Sequence, residues 1–172
     1  MVEVVVSRLG LDSASKAYVV VLQEKDGQRI LPIWIGQPEA ESIVIHVHNI
    51  KRPRPLTHDL CRSLIMGLGA SLRRVQITRV DNNTYFAEMH ISRGDTVVQI
   101  DARPSDSIAI ALRLSAPIFA DESLLASYEE SETDSEGNAI DQPRSEGTPL
   151  SPDDLKAYLE KLRPEDFGEF NL

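Results

Sequence analysis

The sequence predicts an α+β fold: a mixed, mainly antiparallel sheet built from two strand meanders, with helices packed on it. Three observations lead there. Runs rich in β-branched residues occur in two groups of three, and short turn signals join the members of each group. Apolar residues with a helical period lie between and after the two groups. From Glu129 onward the chain turns acidic and nearly loses its apolar residues. The expected organisation is one compact domain over residues 1–128, an acidic disordered linker over 129–150 and a short helical tail over 151–172.

Each element follows in order. Residues 2–9, VEVVVSRL, read as a strand. Residues 16–25 hold a second, and Asp26-Gly27 is a two-residue hairpin signal. Residues 29–35, RILPIWI, form a third that Gly36 ends. Pro32 inside it points to an edge position or a bulge. From Gln37 to Asn49 the period changes, and Ala40, Ile43, Val44, Val47 and Ile50 share a helical face. Pro38 suits the first turn, and Glu39 and Glu41 suit the helix dipole. The many Ile and Val residues leave a strand as the alternative.

Residues 51–56, KRPRPL, are an extended basic connection. A second helix runs from Thr57 to Leu68 with Leu60, Leu64, Ile65 and Leu68 on one face, and Gly67 and Gly69 mark its end. Strands at 72–80, 85–91 and 96–102 make the second meander, turning at Asn82-Asn83 and Gly94-Asp95. Pro104 leads into a third helix, Ser105 to Leu114, whose apolar face is Ile108, Ala111 and Leu112. A short strand at 117–119 and a last short helix from Glu122 to Tyr128 complete the domain.

Charge is unevenly spread. The chain carries net -9, and the residues from Glu129 onward, 13 acidic against 4 basic, hold all of that excess. Lys51 to Arg79 holds seven basic residues and one acidic one, Asp59. A positive cluster of this kind is the footprint of a phosphate-bearing partner, although aromatic residues that would stack bases are not interleaved with it. Cys61 is the only cysteine, so no internal disulfide is possible. No signal peptide or membrane-length apolar run is recognisable, so the expected location is the cytoplasm, away from any membrane.

Two junctions carry the candidate chemistry. One is Arg54-Pro55-Leu56-Thr57-His58-Asp59 and the other is Arg103-Pro104-Ser105-Asp106. In each, Arg-Pro precedes a hydroxyl residue, an Asp and an amphipathic helix. Proline holds the arginine extended, and Thr57 or Ser105 can cap the first turn. Capping explains the hydroxyls and the acids but leaves the arginines without a task. A guanidinium beside a helix N-terminus favours an anion, and phosphate fits best. On this reading Arg54, Arg103 and Ser105 bind substrate, and His58, Asp59 and Asp106 are catalytic, with His58 the base. Glu39, Asp59 and Asp106 are the carboxylates that could hold Mg²⁺ or Mn²⁺. No P-loop, GxGxxG, CxxC or HExxH motif is present.

Three separated stretches, LPIWIG with Glu39-Ala40 and Ile43, RPLTHDL, and DARPSDSIA, resemble the bifunctional nuclease family, once classed as a domain of unknown function. The likeness spans roughly residues 1–128. It implies an α+β fold, a homodimer, and nuclease activity on RNA and DNA of the kind reported for some members. Two further readings stand beside a nuclease: a non-catalytic anion-binding or regulatory module, and a structural homodimer with the motif residues at its interface. In the regulatory reading the acidic tail mimics nucleic acid and covers the basic segment. Removing residues 129–172 should then raise affinity for nucleic acid at low salt in a filter-binding titration. An unchanged affinity would rule the mimicry out.

Overall fold

The computed structural model describes residues 1–11 and 17–126. The expected linker over 129–150 and tail over 151–172 lie outside the described residues, as does Tyr128. The elements are β1 (Val2–Leu11), β2 (Tyr18–Glu24), β3 (Ile30–Ile35), α1 (Gln37–Val47), α2 (Thr57–Gly67), β4 (Ser71–Asp81), β5 (Thr84–Arg93), β6 (Thr96–Ala102), α3 (Pro104–Leu114) and β7 (Ile118–Ala120). The predicted α+β class holds. The strands form one seven-stranded sheet in the order β3-β2-β1-β7-β4-β5-β6.

The two meanders are separate in sequence, and β7 joins them. It pairs antiparallel with β1 and parallel with β4, so Ile118 lies opposite both Val4 and Val75. All three side chains are buried. The remaining neighbours are antiparallel, as meanders with short turns require. Pro32 is accommodated because β3 lies at the sheet edge. The β4–β5 turn runs through Asn82 and Asn83, both with positive φ, as a two-residue turn of the hairpin-favouring type demands. The core combines Val20, Leu22, Leu31 and Ile33 of the first meander with Val75, Ile77, Ala87 and Met89 of the second. Ile43 of α1 and Ile108 of α3 close it from the helical side. Apart from the small Ala87, each such side chain contributes about 2 kcal/mol by leaving water.

Several helical expectations need correction. In α1 the expected Ala40, Ile43 and Val44 are buried, but Val47 is half exposed and Ile45 is buried beside them. In α2 three of the four residues expected on one apolar face point to solvent: Leu60, Leu64 and Leu68 are 54%, 54% and 63% exposed. Ile65 and His58 are the buried residues of that helix. Its periodicity identifies an amphipathic helix but does not say what covers the apolar side. By contrast α3 is buried nearly all round, because Ser107, Ala109 and Ala111 are small enough to let neighbours approach. Neither Thr57 nor Ser105 caps a helix. Pro104 takes the first helical position of α3, which makes Arg103 the N-cap. In α2 the N-cap is Leu56, whose N–H donates to Asp59 Oδ2 at 2.9 Å. The helix expected from Glu122 is a single 3₁₀ turn, Glu122–Leu124, capped by the Asp121 side chain. The chain then extends, and Ala126 pairs with Ile30. Among the described residues no helix is long and apolar enough to cross a membrane.

One buried cation ties the three helices together. The Arg113 side chain, in the last turn of α3, is 2% exposed. Its Nε donates to Asp59 Oδ1 of α2 at 2.6 Å. Its Nη2 donates to the Ser42 carbonyl of α1 at 3.1 Å, and its Nη1 to the Ala109 carbonyl at 2.9 Å. Burial raises the Asp59 pKa, but Arg113 and the Leu56 N–H outweigh it and hold the carboxyl below its usual range. The folded value is therefore below the unfolded one of about 4. The stabilisation is whole above that pH and is lost as pH falls through the folded value. Asp59→Asn leaves a buried guanidinium unpaired and should cost about 3 kcal/mol, read as a lower urea midpoint with an unchanged slope. The variant should also lose part of the acid-dependent decline below pH 4. A wild-type midpoint in the variant would show that the pair holds nothing together.

Candidate functional site

The first turns of α1, α2 and α3 converge on one place. Pro104 sets Arg103 in an extended conformation (φ -67°, ψ 143°) at the head of α3. Three residues on, Asp106 lies within reach of the same guanidinium. Arg103 Nε donates to Asp106 Oδ2 at 2.8 Å, and Nη2 donates to Asp106 Oδ1 at 3.2 Å. Nη2 also donates to Glu39 Oε1 in the first turn of α1 at 2.7 Å. Glu39 is buried and folds back over Gly36, where any β-carbon would strike its Oε2. The glycine at the end of β3 is thus what lets Glu39 lie there. The Arg103 side chain remains 68% exposed, and its Nη1 has no protein partner among the described residues.

His58 completes the cluster from the second position of α2. Its Nε2 lies 3.1 Å from Asp106 Oδ1, and its Nδ1 lies 2.8 Å from Ser42 Oγ of α1. An ionised carboxylate can only accept, so the neutral ring carries its proton on Nε2 and its Nδ1 accepts from the Ser42 hydroxyl. Burial pushes the Asp106 pKa up, but Arg103 and His58 outweigh it and keep the carboxyl below its usual range. The result is a hydroxyl–imidazole–carboxylate chain across three helices, with the imidazole oriented by Asp106 in the manner of a general base. Ser42 is 4% exposed, so the ring nitrogen facing it sits behind a small buried hydroxyl.

The structure therefore brings together Glu39, His58, Arg103 and Asp106. It does not bring in Asp59, whose two oxygens are taken by Arg113 and the Leu56 N–H. Arg54 also stands apart. Among the described residues there is no cluster of three or more His, Cys, Asp or Glu side chains suited to a metal ion. Glu39 and Asp106, the two expected ligands that do meet, both hold Arg103.

Three clefts flank this cluster. A central cleft of about 520 Å³ is lined by Pro38, Glu39, Ser42, His58, Arg103 and Asp106. A second, of about 440 Å³, is lined by His46, Arg52, Arg54, Asp59, Arg62 and Arg113. Arg52 and Arg54 have no hydrogen-bond or ion-pair partner among the described residues, and both are exposed. A third, of about 360 Å³, lies beside Trp34, Asn83, Thr84, Tyr85, Arg103 and Ser105. Ile45 and Pro55 line both the first and the second cleft, and Arg103 lines both the first and the third. The three are consecutive stations on one surface.

Sequence reading missed Ser42, Arg113 and Trp34 as site residues, whereas Arg62 already belonged to the basic cluster. Ser42 offered a signal: a hydroxyl one turn after Glu39, directly before the apolar run Ile43-Val44-Ile45. Arg113 offered none, because an arginine in the last turn of a helix is an ordinary dipole partner.

A family model described as the bifunctional nuclease domain matches residues 20–133, which contain every residue of the cluster. "Uncharacterized protein MT1877" of Mycobacterium tuberculosis (strain CDC 1551 / Oshkosh) is 39% identical over 166 residues, covering 91% of this chain and 99% of that protein. "Bifunctional nuclease 1" of Arabidopsis thaliana is 26% identical over 162 residues, 89% of this chain and 47% of the plant protein. "Bifunctional nuclease 2" of the same plant is 32% identical over 103 residues, 58% of this chain and 31% of that protein. The chain thus spans less than half the length of these two plant relatives. With a domain match over most of its residues, the chain belongs to the bifunctional nuclease domain family.

Proposed function

We propose that the chain is a nuclease that hydrolyses phosphodiester bonds in RNA or DNA at the central cleft. The observation that carries this reading is His58, oriented by Asp106 and lining a cleft that continues into one ringed by Arg52, Arg54 and Arg62. The arginines grip the phosphate backbone beside the scissile bond. Rotation of the Ser42 hydroxyl uncovers His58 Nδ1, and a water there gives up a proton to that nitrogen as its oxygen attacks phosphorus. The bond from phosphorus to the leaving oxygen breaks, and that oxygen takes the proton back from His58. Asp106 is a positioning residue that favours the imidazolium formed on the way. Arg103, through its unpartnered Nη1, meets the charge developing on the phosphate.

The cluster is anionic when His58 is neutral, with Glu39 and Asp106 against Arg103. Mg²⁺ or Mn²⁺ would relieve that charge, held by Glu39 and Asp106 once Arg103 moves aside toward the phosphate.

A second reading, a homodimer, is favoured by the exposed stripe of Leu60, Leu64 and Leu68 on α2. A second copy packing on that stripe would bury it. Light scattering after gel filtration should give twice the chain mass, and Leu64→Lys should return it to the single-chain mass. A monomer for the unaltered chain would remove this reading.

The nuclease reading is tested on fluorescent single-stranded RNA and DNA with Mg²⁺, Mn²⁺ or EDTA. His58→Ala should lower kcat by about 10²–10⁴-fold without loss of folding, and Asp106→Asn by about 10-fold or more. Binding without cleavage under every condition would leave an anion-binding module in its place. Full activity in His58→Ala would move the chemistry elsewhere.

A further inference from the structure

We infer that the cleft beside Trp34 is a base-binding subsite, and that the substrate class is single-stranded nucleic acid. The inference deepens the nuclease reading and rests on it for the choice of nucleic acid as ligand. Along β3 the side chains alternate: Ile33 and Ile35 are buried, and Trp34 between them is 55% exposed. The largest side chain of the protein thus leaves more than half of its surface uncovered by the described residues. It does not stand alone on the surface. The sheet brings edge strand β3 to the β4–β5 turn, so that Trp34, Asn83, Thr84 and Tyr85 line one cleft with Arg103. Asn82 and Asn83 hold that turn in a tight two-residue geometry, which fixes the far wall.

The chemistry of this wall suits a nucleobase. An exposed indole offers a face for stacking, and the neighbouring amide and hydroxyls of Asn83, Thr84 and Ser105 offer donors and acceptors for a base edge. The volume, about 360 Å³, is at the small end of ligand pockets, which run from roughly 300 to 1,000 Å³. It has room for one base with its sugar. Arg103 is shared with the central cleft. A phosphate on its free Nη1 is therefore the phosphate next to a base on Trp34. In a duplex both faces of a base are already stacked, so only an unpaired strand, or an end, can present one here.

Trp34 is the only tryptophan of the chain, so its fluorescence reports the stack directly. The full chain is titrated in EDTA and low salt with a phosphorothioate single strand and with the matching duplex, each also followed by fluorophore anisotropy. Saturable quenching by the single strand and not by the duplex is expected. By anisotropy, Trp34→Ala should bind the single strand about 10-fold or more weakly, and Trp34→Phe should stay within about 3-fold of the original. Because the side chain is exposed, both variants should keep the thermal midpoint, which excludes misfolding as the cause. Anisotropy binding without quenching, or equal quenching by the duplex, overturns the inference and leaves the nuclease reading intact. Quenching without cleavage under any metal condition leaves the inference standing and defeats the nuclease reading. Absence of binding by both probes overturns the subsite.

Discussion

A guanidinium removed from water must be answered by protein oxygens, and Arg113 is answered by all three helices. Asp59 answers from α2, the Ser42 carbonyl from α1 and the Ala109 carbonyl from its own helix. The consequence for the site is direct. Asp59 is fixed by Arg113, and its neighbour His58 is therefore fixed on the other side of the same turn. Ser42 is held through its carbonyl by Arg113 and presents its hydroxyl to His58. A structural pair thus lies behind the cluster of His58, Arg103 and Asp106. The two networks share Ser42 and the first turn of α2. A change to either one is felt by the imidazole.

The two Arg-Pro junctions show how spacing divides such roles. In both, the Asp occupies the third position of its helix. At the second junction the Arg is the N-cap, three residues before Asp106, and the two pair on one side of the turn. At the first, Leu56 and Thr57 intervene between Pro55 and His58, so Arg54 falls two residues ahead of the N-cap. Arg54 lines a cleft with Asp59 but does not pair with it, and Asp59 takes Arg113. Arg54 instead joins Arg52 and Arg62 around the neighbouring cleft. One motif supplies an oriented carboxylate, and its relative supplies positive charge that is unpaired among the described residues.

Much of this was legible in the sequence because it is local. Alternation and helical period define the two meanders and three helices, and Pro32 marks an edge. The site residues His58, Arg103, Asp106 and Glu39 stand out because capping does not account for them all. The rest was not legible because it depends on partners distant in sequence. Three residues, Ile118–Ala120, join the two meanders, and nothing in so short a run names its neighbours. The apolar stripe of α2 reads as core, since amphipathicity records two faces but not what lies against each. The basic segment holds no aromatic residue, which argued against base stacking. The curl of the sheet supplies Trp34 and Tyr85 from strands far along the chain.

If the aromatic, central and arginine-lined clefts serve one strand at the same time, one ligand must perturb all three together. The most direct measurement is a nitrogen-detected NMR titration with a non-cleavable single-stranded oligonucleotide of a few residues. It follows the Trp34 indole, the His58 ring and the arginine Nε groups together. The account predicts that Trp34, His58, Arg103, Arg54 and Arg62 shift with one affinity and one stoichiometry, while buried Arg113 stays in place. Shifts confined to Arg52, Arg54 and Arg62, with Trp34 and His58 unmoved, would contradict it and leave only a basic patch.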